Sequence, residues 1–243
     1  MLAKLFQNKK DKQINYDSRG GKLNIGDKQF SLGDYRDVVV VCCGENGYTH
    51  AGNLFFKLHE RINRGIAISH SNYQLPKIQC FAVSALDTSA MTATDELVKM
   101  LSDLNEETLV IFALSRGAEG MLCLPSDRNV QSKIKILASL RQLGANPNEI
   151  NTVNKHISLV KGGQLAQIVY PAQVINLIYQ HPAYPDFALI GAGPTIKDET
   201  TLADAQTILK RYDALEHAGV LNIKLVETPK EDKYFEKVHN III

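Results

Sequence analysis

The sequence predicts an α/β domain of three layers, a mostly parallel β-sheet with helices on both faces. Three observations carry this. Residues 38–42 (VVVVC) and 108–114 (TLVIFAL) are continuous apolar runs rich in β-branched residues, the pattern of strands buried on both faces. Other segments repeat their apolar residues at helical spacing. The two kinds alternate along the chain, as a parallel sheet with crossover helices requires.

Taken in order, residues 1–21 are polar and Lys-rich, end in Gly20-Gly21, and read as a flexible N-terminal arm. Residues 22–243 then form a single domain. KLNIGDKQFSL alternates apolar and polar around Gly26-Asp27, which predicts a hairpin. The buried strand at 38–42 breaks at Gly44-Glu45-Asn46-Gly47, and a helix follows with Leu54, Phe55, Leu58 and Ile62 on one stripe. Strands are predicted at 65–69 (GIAIS) and 78–83 (IQCFAV). A helix over 89–104 turns Leu97, Met100, Leu101 and Leu104 inward. The strand at 108–114 ends in SRGAEG. Helices are predicted at 129–143 and 148–160, strands at 174–179 and 187–190, and a helix at 202–212 with Leu202, Ala205, Ile208 and Leu209 on one side. The chain closes on an apolar strand pattern, VHNIII, beginning at Val238 and ending at Ile243. Left exposed it would invite aggregation, so it pairs within the sheet or with a protein partner, a second copy included, by strand addition.

Composition narrows the function. The 243 residues are 44% apolar and 22% charged, which sets aside disorder and coiled coil. Lys+Arg 27 against Asp+Glu 26 leaves a net charge of +1, so there is no global field for nucleic acid or an anionic membrane. No apolar run approaches the ~18 residues of a membrane span, and MLAKLFQNKK is too short in apolar residues for a signal peptide. The four cysteines lie in or beside apolar segments without a C-x-x-C pair, and read as reduced core thiols of a cytoplasmic protein. The seven histidines show no metal-ligand spacing, so no protein-built metal site is expected.

Four segments have the chemistry of a ligand site. Read as a helix, residues 151–158 place Asn151, Asn154, Lys155 and Ser158 on one face, a set suited to a polar or anionic ligand. Lys161, Gly162 and Gly163 follow, either extending that site or closing the helix through its dipole and an αL cap. His156 flanks the apolar stripe and suits a structural role better than that of a general base. The turn Gly44-Glu45-Asn46-Gly47 joins a strand to a helix N-terminus, where phosphates bind, but Glu45 puts a carboxylate there. Ser115, Arg116 and Gly117 follow another buried strand; Arg116 suits either an oxyanion or a surface pair with Glu119. Gly193 and Thr195 lie in a Gly-rich turn, GAGPT, that either approaches a ligand or only turns sharply.

These stretches, in their order, resemble the glycerate 2-kinase family whose members end in a MOFRL domain. The resemblance is carried by LRQLGANPNEINTVNKHISLVKGGQLA, PAQVINLIY, GAGPTIKDETTLADAQTILKRY and ETPKEDKYFEKVHNIII, and matches the family's first large domain. It implies a Rossmann-like α/β fold and a cleft, completed by a second domain, in which Mg-ATP phosphorylates D-glycerate at its 2-hydroxyl. Where the family has a G-x-G-K-A turn with a catalytic lysine, this sequence has Gly44-Glu45-Asn46. The family's H-P-x-P-D becomes Val83-Ser84-Ala85-Leu86-Asp87, keeping only Asp87. Its S-G-G-x-S becomes Ser115-Arg116-Gly117-Ala118-Glu119, and its N-x-x-R-K-H-x-S runs from Asn151 to Ser158 with Asn154 for arginine. Its S-D-V becomes Gln180-His181-Pro182, and its S-G-P becomes Ala192-Gly193-Pro194.

The substitutions fall on polar site positions, while helix stripes and glycine turns persist. Unconstrained drift would erode the core as well. The sequence therefore predicts a degenerate kinase-like domain, inactive in phosphoryl transfer and kept as a binding or protein-interaction module, with no cofactor of its own. The alternatives are a sugar-acid kinase using Mg-ATP, with Lys155, Lys161, Arg116 and Asp87 completed by a partner chain, and a nucleotide or anion sensor without turnover.

Overall fold

The structure, a computed structural model, describes residues 13–71, 73–180 and 187–243. Its centre is a six-stranded sheet in which every neighbouring pair is parallel. The strands are β4 (Asp37–Cys43), β5 (Arg64–Ser69), β6 (Ile78–Ala82), β7 (Thr108–Leu114), β8 (Gln173–Ile178) and β9 (Val238–Ile242), in the order β6-β5-β4-β7-β8-β9. The chain winds outward from β4 to β6, then returns to the other side of β4 with β7. The gap between the ends of β4 and β7 is therefore the switch point, where open α/β sheets bind ligands.

Both faces of the sheet are dry, which explains the unbroken apolar runs. Val39, Val41 and Cys43 pack with Val110, Phe112 and Leu114 on one face, beneath α2 (Thr88–Leu101), α3 (Ala118–Met121) and α6 (Gln164–Val169). Val38, Val40 and Cys42 pack with Leu109, Ile111 and Ala113 on the other, against α1 (Gly47–Leu58). Adjacent Cys42 and Cys43 thus enter different cores, as strand alternation demands. A third cluster joins α4 (Val130–Gln142), α5 (Pro147–His156), α7 (Leu202–Arg211) and α8 (Ala214–His217).

Four expectations need correction. The arm does not run to residue 21: Ile14–Asp17 forms β1, paired antiparallel with β2 (Lys22–Ile25), which pairs in turn with β3 (Lys28–Ser31). Ile14 is buried in the same core as α1, and its carbonyl accepts from Lys57 Nζ at 2.8 Å. The rest of the arm, residues 1–12, lies outside the described residues. The helix predicted over 148–160 ends at His156, because Ser158 bridges Pro125 and the Leu159 N–H goes to Leu124 O at 2.9 Å. The helix predicted over 89–104 ends at Leu101, and Leu104 packs against the core from beyond it. The strand predicted at 187–190 is a 3-10 segment, Phe187–Ala192, kinked where Gly191 takes φ 67°. The sheet position beside β8 belongs to β9, from the far end of the chain.

Candidate functional site at the switch point

The turns after β4 and β7 meet at the switch point and fill it with their own atoms. Gly44, at φ 121°, brings its backbone so close that a Cβ there would lie 2.4 Å from Ser115 Oγ and 2.5 Å from Ser115 O. The Glu45 N–H donates to Arg116 O at 2.8 Å, and the Asn46 N–H reaches Ser115 Oγ at 3.4 Å. Gly117, at φ 88°, faces the Glu45 side chain. Across this contact Arg116 grips one oxygen of Glu45, Nε at 2.9 Å and Nη2 at 2.5 Å. The cation expected to meet an oxyanion thus already holds a carboxylate. Glu119 accepts from the Gly117 N–H at 3.1 Å.

A second pair of turns lies alongside. Gly162 (φ 58°) and Gly163 (φ 87°) donate their N–H groups to Ala192 O at 3.0 Å and Gly193 O at 2.8 Å. A Cβ on Gly163 would sit 2.7 Å from the Phe235 ring, so these glycines serve close packing of the chain on itself. Gly193, at φ 61°, leads into Thr195, which is fully buried. The Thr195 hydroxyl accepts from Asn176 Nδ2 at 2.7 Å and donates to Asn240 Oδ1 at 3.2 Å, tying the turn to β8 and β9. Lys161 joins the two pairs of turns. It does not cap a helix: fully buried, its Nζ donates to Glu119 O at 2.8 Å and Gly191 O at 3.3 Å.

The other expected residues stand apart or do structural work. Asp87 caps α2, accepting from the Ala90 N–H at 2.8 Å and Ser89 Oγ at 2.6 Å. Burial works to raise its pKa, but these hydrogen bonds hold the carboxyl below the ordinary range. The shared polar face of 151–158 is broken by the end of α5. Asn151 is half-buried, Asn154 is buried with Oδ1 unpartnered among the described residues, and Ser158 is enclosed in the loop beyond. Lys155 pairs with Asp198, their side chains 13% and 2% exposed. Asp198 also accepts from Thr200 Oγ1 at 2.8 Å and Thr228 Oγ1 at 3.1 Å. Desolvation opposes its charge, yet Lys155 and Thr200 bring its pKa down. His156 is fully buried with both ring nitrogens engaged, Nδ1 by Thr152 O at 2.9 Å and Nε2 by Glu227 Oε1 at 3.2 Å. His181 and Pro182 lie outside the described residues.

Sequence reasoning missed Lys133, on α4. It is fully buried, and its Nζ has no hydrogen-bond partner among the described residues. Burial first, then the nearby Lys161 charge, lowers its pKa to about 7. Its i, i+3 and i, i+4 neighbours Ile136, Leu137 and Val130 are core residues, so its place on the apolar face was the available signal.

Residues 4–222 match the family described as "Domain of unknown function (DUF4147)". The chain belongs to this family. It is 30% identical over 199 residues to the D-glycerate 2-kinase of Thermotoga maritima, covering 79% of this chain and 48% of that protein. A putative hydroxypyruvate reductase of Agrobacterium vitis is 32% identical over 173 residues, 68% of this chain and 40% of that protein. Among solved structures, the PH0495 protein of Pyrococcus horikoshii superposes with a TM-score of 0.81 at 27% identity, over 96% of this chain and 54% of that one. The DUF4147 chain is thus a glycerate kinase family N-terminal domain, and it spans about half the length of the relatives it matches. No helix among the described residues is long and apolar enough to cross a membrane.

Proposed function

We propose that this domain no longer transfers phosphoryl groups and serves as an association module built on the glycerate kinase fold. The observation that carries this reading is the Arg116–Glu45 pair at the switch point. Phosphoryl transfer needs cations aimed at the phosphates. Here Arg116 is neutralised by Glu45, Lys155 by Asp198, and Lys161 is drawn inward by two carbonyls. Asp87 is turned into its own helix end rather than toward a metal. These residues do not fit Mg-ATP, and no step is derived through it.

The surface we assign to association is the outer edge of β9, the last strand of the sheet, and the occupant is a second copy of the chain. Ile242 is 47% exposed there, an apolar residue on an edge strand. The end of the chain is also part of the fold, since the Ile243 N–H donates to Ile178 O at 2.9 Å. Deleting it would damage the sheet, so Ile242→Lys is the cleaner probe. The test has two arms. Incubation with Mg-ATP and D-glycerate should form no ADP above background, and sedimentation should show a dimer that Ile242→Lys converts to monomer. Steady turnover would restore the kinase reading, which the glycerate kinase relatives favour. A wild-type monomer at micromolar concentration would remove the association surface.

A further inference from the structure

Lys133 and Lys161 are the fully buried lysines of the described residues, and neither forms an ion pair there. Lys161 spends two of its three N–H donors on Glu119 O and Gly191 O, leaving a third. Lys133 Nζ has all three unspent. The ionisable groups facing Lys133 are Lys161, Cys123 and Asp127, and those facing Lys161 are Cys123, Glu119 and Cys43. None supplies a bonded counter-charge. Asp127 accepts from the Asn129 N–H at 2.9 Å, and Glu119 from the Gly117 N–H at 3.1 Å. Burial pushes the Cys43 thiol up to about 12 and raises Cys123, so both sulfurs stay neutral.

A buried ammonium without a counter-ion is strongly unfavourable, and two together repel. We propose that a small tetrahedral oxyanion, of the phosphate or sulfate type, binds between Lys133 Nζ and Lys161 Nζ as their counter-ion. The carbonyl partners of Lys161, in α3 and in the turn at Gly191, set this site beneath the strand ends of the sheet. Complete burial of both amines selects a free ion over the phosphate of a nucleotide. The site uses none of the residues in the Arg116–Glu45 contact and is independent of the reading proposed above.

The test is thermal unfolding of the full chain in rising sodium phosphate, against sodium chloride at matched ionic strength, for wild type and Lys133→Met. Wild type should show a saturable rise of roughly 5–10 °C at a hundredfold excess over Kd. Lys133→Met should lose that rise. An equal rise in both proteins would mean general exclusion of phosphate from protein surface and would overturn the site. Mg-free ATP, cleared of free phosphate, should give no such rise; an equal rise would overturn the free-ion assignment. Should Lys133→Met fail to fold, calorimetry on wild type at pH 8 decides. Phosphate binding should take up protons, read as a buffer-dependent enthalpy, and a buffer-independent one would sink the proposal.

Discussion

Arg116 and Glu45 face each other across the switch point of the sheet, one from the turn after β7 and one from the turn after β4, with Arg116 Nε and Nη2 both on the same carboxylate oxygen. The pair is open to solvent, with side chains 45% and 35% exposed. Its contribution to stability is therefore about 1 kcal/mol or less. Glu45→Ala should leave the unfolding free energy nearly unchanged in urea. It also releases Arg116, so the variant should gain a salt-sensitive affinity for Mg-ATP that wild type lacks, read by calorimetry.

Lys133 makes stability depend on pH. Its folded pKa of about 7 lies below the ordinary 10.5, so between these values the unfolded chain binds the extra proton. Stability should rise with pH across that window, by up to about 1.4 kcal/mol per unit from this group, and level off on either side. Lys133→Met should be more stable than wild type at pH 7 in phosphate-free buffer, with the advantage fading by pH 10. Denaturant titrations at pH 7, 8.5 and 10 would check this.

The buried ion pair behaves in the opposite sense. Asp198→Asn leaves Lys155 buried without its carboxylate and should cost roughly 3–5 kcal/mol. The pKa of Asp198 is lowered in the fold, so its contribution is present above the ordinary carboxylate value of 3.8 and is lost as pH falls through the lower folded value. Acid unfolding followed by circular dichroism should show wild type losing this advantage over Asp198→Asn below pH 4.

Two glycines separate strain from contact. Gly144 holds φ 82° in open space, so Gly144→Ala should cost about 1–2 kcal/mol for the left-handed backbone alone. Gly44→Ala adds a collision with Ser115 and should cost clearly more, with loss of the Glu45–Arg116 contact. Equal destabilisation of the two variants would mean that the turns after β4 and β7 separate readily, against the closed switch point described above.

Much of the fold is legible in local pattern. The run at 38–42 had to be a strand with two dry faces, and Cys42 and Cys43 had to part company there, because side chains alternate along an extended chain. The helix stripe of Leu202, Ala205, Ile208 and Leu209 follows from spacing alone, and Thr201 and Asp204 close a capping box at its start. The expected ligand positions were placed correctly as turns at strand ends, yet their partners were not readable. That Arg116 meets Glu45, 71 residues earlier, depends on β7 returning beside β4.

What the sequence determined by itself was the kind of each long element and the face it buries, since both follow from periodicities of 2 and 3.6 along the chain. What the tertiary structure decided was every contact between distant segments. Ile14 became a strand because β2 offers it a partner, residues 157–160 left the helix because Ser158 found Pro125, and Gly191 kinked a run that composition alone would extend. Lys161 and Lys133 looked like ordinary cations, and only packing from four directions withdrew them from water. Periodicity is local and was visible; burial of a charge is a property of its neighbours, and those come from elsewhere in the chain.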